Sequence, residues 1–123
     1  MSPFGSIFGK GKGGNNFVLS RSLFNQQMGD NELYDLKQGL SPHADQRIYT
    51  TFPTSSSFLT DMLLDEKDKQ KSRMLSQSLT LSLDEAEELY LAKKLGCTLA
   101  ITEKQLWLEN AAKKARVKTK VFL

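Results

Sequence analysis

The chain has 123 residues, of which 39% are hydrophobic and 25% charged; 17 Lys and Arg against 14 Asp and Glu give a net charge of +3, and there is one cysteine. This length and balance suit one soluble globular domain with a single core and exclude a disulfide-stapled scaffold. No run approaches the roughly twenty apolar residues of a membrane span, and the N-terminus lacks the apolar core of a secretory signal, so an intracellular location (cytoplasm or organellar matrix) with no membrane partner is expected.

Residues 1–15 read as an extended N-terminal arm. Five of the eight glycines fall there, and Phe4, Ile7 and Phe8 punctuate them. The segment GSIFGK departs from a phosphate-binding P-loop, which needs four residues between its glycines and a Ser or Thr after the lysine. Glycine-rich composition makes flexibility the default, and the three apolar side chains are expected to anchor the arm on a protein partner.

The folded region is expected over residues 16–123. Asn16 to Ser20 is a short apolar run of strand length, followed at once by a helix-like segment, RSLFNQQM. NELYDLKQGL reads as a short amphipathic helix ended by Gly39. His43, the only histidine, has no second ligand type beside it. Gln46 to Phe52 is β-branched and aromatic and precedes Pro53, so it is expected to be a strand. SSSFLTDMLLDEKDKQKSRMLSQSL reads as one broken helix or two, with Phe58, Met62 and Leu63 on one side of the first half and the KDKQK run solvated.

The last third is the most regular. Ser82 and Glu85 form an S-x-x-E capping box. Ala86, Leu89, Tyr90, Lys93 and Leu91 or Leu95 then recur at helical spacing, and Gly96 can take the left-handed conformation that ends a helix. Cys97 to Ile101 is strand-like, and its lone cysteine is expected to act as a small apolar residue. Thr102, with Gln105 three later, is expected to cap a helix burying Leu106, Leu108, Ala111, Ala112 and Ala115. Val117 to Leu123 alternates as a half-exposed strand. Trp107 is expected to pack.

Helix, strand, helix, strand in one run is the wiring of a parallel sheet, of about four strands here. Open parallel sheets place their chemistry outside the carboxyl ends of the strands.

FVLSRSL, IYTTFPTSSSFLTDML, LSLDEAEELYLAKKLGCTLAIT and EKQLWLENAAKKARVKTKVF, in that order, resemble the PIN domain, the metal-dependent ribonuclease fold. The resemblance spans residues 16–123 and implies a three-layer α/β/α domain. It also implies a site in which three or four carboxylates gather one or two divalent cations, Mg²⁺ or Mn²⁺, that generate a hydroxide and stabilise charge on the scissile phosphate. Carried onto this chain, that site is degenerate. Ser20 stands where the first aspartate is expected, and the Ser55 to Ser57 run stands where a helix glutamate is expected. Asp84, Glu87 and Glu103 remain as candidate acids.

Each acid also has an ordinary role, since negative charge is favourable at a helix N-terminus. Capping is the expectation for Glu85 and Glu103. From Lys104 to Lys120 there are six basic residues (Lys104, Lys113, Lys114, Arg116, Lys118, Lys120) against one acid, Glu109, while the rest of the chain carries eleven basic and thirteen acidic residues. Such a stripe can follow a phosphate backbone without reading its sequence, or can be an exposed helix face.

The sequence therefore leads to a non-catalytic PIN-like subunit, structural or RNA-contacting, within a larger multiprotein or ribonucleoprotein assembly and without a cofactor. The alternatives are an active Mg²⁺- or Mn²⁺-dependent ribonuclease and a small structural protein of a large particle unrelated to PIN domains.

Overall fold

The structure is a computed structural model that describes residues 16–26, 47–54 and 59–122. Within them the elements run β1 (Phe17–Leu19), α1 (Arg21–Gln26), β2 (Ile48–Thr50), β3 (Thr60–Asp61), α2 (Glu66–Leu79), α3 (Leu83–Leu95), β4 (Thr98–Thr102), α4 (Leu106–Lys114) and β5 (Thr119–Phe122). The N-terminal arm, the NELYDLKQGL segment, His43 and Ser55 to Ser57 lie outside the described residues.

All strand pairs are parallel, in the order β3-β2-β1-β4-β5. Val18 of β1 registers with Tyr49 on one side and with Leu99 on the other. The alternation of a pleated strand then sorts side chains onto two faces. Val18, Leu99 and Ile101 join Leu89, Leu91, Leu108 and Ala112 in the larger core. Phe17, Leu19, Ile48 and Ala100 face the other way and meet Leu23 and Phe24 of α1. Helices thus cover both faces, giving an α/β protein with a parallel five-stranded sheet.

Among the described residues the sheet has five strands, where about four were expected. The additional one, Thr60–Asp61, lies in the segment expected to be helical. Its two residues are too few for periodicity to register, and only pairing with Tyr49 and Thr50 makes them a strand. The helix begins later, at Glu66, where the Asp65 side chain accepts from the Asp68 N–H. Met62 packs against the core, but Leu63 is 69% exposed.

α3 forms as its capping box dictates. The Ser82 hydroxyl accepts from the Glu85 N–H at 3.2 Å, and the Glu85 carboxylate reaches back to the Ser82 N–H at 3.3 Å. Gly96 ends the helix at φ 70°. Ala86, Leu89, Leu91 and Ala92 are buried, whereas Lys93 points outward and donates to the Ala115 carbonyl. Asp68 ties α2 to α3, accepting from the Tyr90 hydroxyl at 2.9 Å and the Lys94 ammonium at 3.0 Å. The Lys94 bond, then the Tyr90 bond, hold the Asp68 carboxyl below its ordinary range.

Three expectations about the last third change. Thr102 ends β4 rather than capping α4; the Gln105 N–H bonds its carbonyl, making a turn, and α4 starts at Leu106 without a side-chain cap. Glu103 therefore sits on the turn, outside the first helical turn. Leu106 and Trp107 are 57% and 53% exposed, while Leu108, Ala111 and Ala112 are buried. Cys97 is buried, and desolvation pushes its thiol up to about 11, as suits an inert apolar filler.

After α4, Arg116 takes φ 62° at the position where Gly96 ends α3. The left-handed conformation costs an L side chain about 1–2 kcal/mol, partly offset by the backbone entropy a glycine would lose. Arg116→Gly is accordingly expected to raise unfolding stability by about 0.5–1 kcal/mol in urea titration.

Candidate functional site

The chain leaves β1 outward through β2 and β3, then returns to β4 and β5 on the opposite side. The order reverses between β1 and β4, and in open parallel sheets the crevice outside the carboxyl ends at such a reversal is where ligands bind. Ser20 follows β1 at this point, Thr102 ends β4, and Glu103 to Gln105 follow it.

The crevice floor is closed by neutral hydrogen bonds. The Ser20 N–H donates to the Ala100 carbonyl, and its hydroxyl accepts from the Leu23 N–H at 3.1 Å while donating to the Gln105 side-chain carbonyl at 3.0 Å. That carbonyl also accepts from the Thr102 N–H at 3.1 Å. Ser20, Thr102 and Gln105 are all almost completely buried. The Gln105 amide donates to Glu85 at 3.4 Å, and the Trp107 indole N–H donates to the same oxygen at 2.8 Å. The other Glu85 oxygen is taken by the capping box. Glu85 is thus a cap and a tether.

One acid missed in the sequence reaches this floor. Glu88 is 1% exposed; its Oε2 accepts from the Arg21 N–H at 2.9 Å and its Oε1 has no partner among the described residues. Burial outweighs that hydrogen bond, and the negative charges of Glu85 and Asp84 add to it, so the carboxyl is pushed up to about 8. Glu88 is therefore mainly protonated at neutral pH. The available signal was its place on the arc of Leu91, Ala92 and Leu95, three, four and seven residues on. A glutamate on that arc must be buried with the leucines.

Asp84 and Glu87 neighbour one another on α3, and Glu103 lies beyond β4. Asp84 is exposed, with its carboxylate 3.5 Å from Arg21 Nε. Glu87 is half-buried on the same helix; desolvation first and Asp84 second raise it, while Lys69, Arg21 and Arg73 pull it down. Glu103 is exposed beyond β4. Asp61 stands at the end of β3, accepting from the Thr54 N–H. Among the described residues no three His, Cys, Asp or Glu side chains are placed to hold a metal ion. Ser20 and Gln105 offer a divalent ion little, since the Ser20 hydroxyl donates to the Gln105 oxygen and that oxygen already accepts two hydrogen bonds. The positive charge this group receives comes from Arg21, whose guanidinium lies 4.5 Å from the Phe52 ring centroid, with Phe24 edge-on to Phe52 at 5.1 Å.

The basic residues occupy both edges. Lys104 is on the turn after β4, at the carboxyl edge, while Lys113, Lys114, Arg116 and Lys118 end α4 and precede β5, at the opposite edge. The five residues of β4 put about 16 Å between the two edges. No helix among the described residues is long and apolar enough to cross a membrane. No protein-family model matches the chain, and no curated protein matches it at a significant level.

Proposed function

We propose that this chain is a non-catalytic PIN-like subunit that serves as a structural or RNA-contacting component of a larger assembly. The observation that carries the reading is the Ser20 hydroxyl bonded to the Gln105 carbonyl at the strand-order reversal, where a hydrolase of this architecture would need ionised oxygens. Glu88 adds to it. A carboxyl raised to about 8 inside a crevice is the kind of group enzymes use as a general acid. This one is sealed from solvent, with one oxygen tied to the Arg21 backbone, so it cannot reach a substrate.

The parallel sheet and the position of Ser20 directly after β1 support the PIN-like reading. RNA contact draws on the basic residues Lys104, Lys113, Lys114, Arg116, Lys118 and Lys120, which can follow a phosphate backbone. The competing reading, an Mg²⁺- or Mn²⁺-dependent ribonuclease, draws on Asp84, Glu87 and Glu103, with a further acid supplied by a neighbouring chain.

Incubation of the full chain with single-stranded RNA and Mn²⁺ separates the two. Binding that weakens with salt and leaves the RNA intact is expected. Cleavage that disappears in Asp84→Asn overturns the proposal.

A further inference from the structure

A groove runs between α2, α3 and the end of α4. One half is lined by Lys71, Met74, Leu75, Ser78, Tyr90 and Lys93. The other continues through the shared Leu75, Ser78 and Lys93 to Leu79, Lys114 and Arg116. Its floor is aliphatic, and Met74 is 63% exposed on it beside Leu75. Its rim is Lys71, Lys93, Lys114 and Arg116, and none of the described residues lining it is acidic. Arg116 adds a separate observation, because it holds a left-handed backbone that a glycine would adopt without steric penalty. Its side chain places a guanidinium on the rim directly after α4.

The occupant must offer an apolar side chain flanked by carboxylates. The N-terminal arm does not qualify, since residues 1–15 carry Lys10 and Lys12 and no acid. RNA is disfavoured by the floor, because bases stack on aromatic faces and the one aromatic here, Tyr90, has its hydroxyl committed to Asp68. The chain itself carries the complement. Leu63, in the link between β3 and α2, is 69% exposed, and Asp61, Asp65 and Glu66 around it are exposed too.

We propose that a second copy of this chain docks here, inserting Leu63 between Met74 and Leu75 while Asp61, Asp65 and Glu66 pair with the Lys71, Lys93, Lys114 and Arg116 rim. The apolar contact supplies the affinity and the charges set orientation and association rate. This deepens the reading of the chain as an assembly component by naming its partner, and it is independent of the nuclease assay, because the groove contains none of the carboxyl-edge residues.

Sedimentation velocity of the full chain tests it. The expected result is mass-action self-association that weakens as salt rises. Leu63→Asp and Met74→Asp should each weaken it by about tenfold or more. A mixture of the two variants should associate again, because one supplies an intact groove and the other an intact Leu63. Arg116→Gly should weaken association without lowering the unfolding temperature, which separates the surface from the fold. A chain that stays monomeric up to roughly 1 mM, or an association unmoved by Leu63→Asp and Met74→Asp, overturns the proposal. So does a 12-nucleotide single-stranded RNA that binds the monomer through Met74 and Arg116.

Discussion

Glu88→Gln is expected to stabilise the protein above pH 7 and to remove a slope of stability against pH that the unaltered chain carries between pH 4.5 and pH 8. In the unfolded chain Glu88 titrates at its ordinary 4.5, whereas in the folded protein burial raises it to about 8. Between those values the folded state holds a proton that the unfolded state has released, so stability falls as pH rises through the window. Below pH 4.5 the carboxyl is neutral in both states and the contribution is complete; above pH 8 it is lost. The size of the fall is roughly 3–5 kcal/mol, a large part of the stability of a domain this small. Glutamine keeps the shape and the acceptor for the Arg21 N–H without an ionisable group. Urea unfolding at pH 5, 6.5 and 8 reads the effect. A slope unchanged in Glu88→Gln would mean that the buried carboxyl is not the group responsible.

Ser20→Asp is the second large effect, and it tests whether the crevice retains a latent metal site. The serine hydroxyl donates to the Gln105 carbonyl and accepts from the Leu23 N–H within a fully buried pocket. An aspartate cannot donate. It would bring oxygen against oxygen at Gln105 and a charge beside the protonated Glu88. An uncompensated buried charge costs on the order of 3–5 kcal/mol, so the variant should be far less stable than Ser20→Ala, where roughly 1–2 kcal/mol is lost with the hydroxyl. Millimolar Mn²⁺ should not restore the loss, because Glu85 is committed to its cap and to Trp107 and Glu103 is exposed beyond β4. Recovery of the unfolding temperature on adding Mn²⁺ would mean that the acids approach one another more closely than this geometry provides.

The parts of the fold legible in the sequence are those decided locally. The Ser82 and Glu85 pair carries its hydrogen-bond logic in four residues, and Gly96 carries the positive φ in one, so the bounds of α3 were readable, as were the apolar runs of β1 and β4. β3 was not, because a two-residue strand exists only through its partner β2. The start of α4 was misplaced because Gln105 looks like the third residue of a box capped by Thr102. Instead its side chain turns back to accept from the Thr102 N–H and the Ser20 hydroxyl, and the second of these is a contact across 85 residues that no local pattern holds.

The site divides in the same way. Ser20 was identified from its place after the first strand, and it lies at the strand-order reversal. Asp84 and Glu87 follow from the likeness of this segment to the family's acidic helix, which does not say which side of the helix faces the sheet. Glu88, one residue further on, is the acid that points inward. Weighing apolar spacing above charge would have separated them.

The sheet edge is closed by the Ser20 to Gln105 hydrogen bond, the Glu85 tether and a protonated Glu88, with Arg21 as the neighbouring cation. Titration of Mn²⁺ into the full chain at pH 7, followed by calorimetry, tests this most directly. No saturable heat is predicted, and none should appear in Asp84→Asn or Glu88→Gln. Saturable one-site binding to the unaltered chain that is lost in either variant would contradict the account.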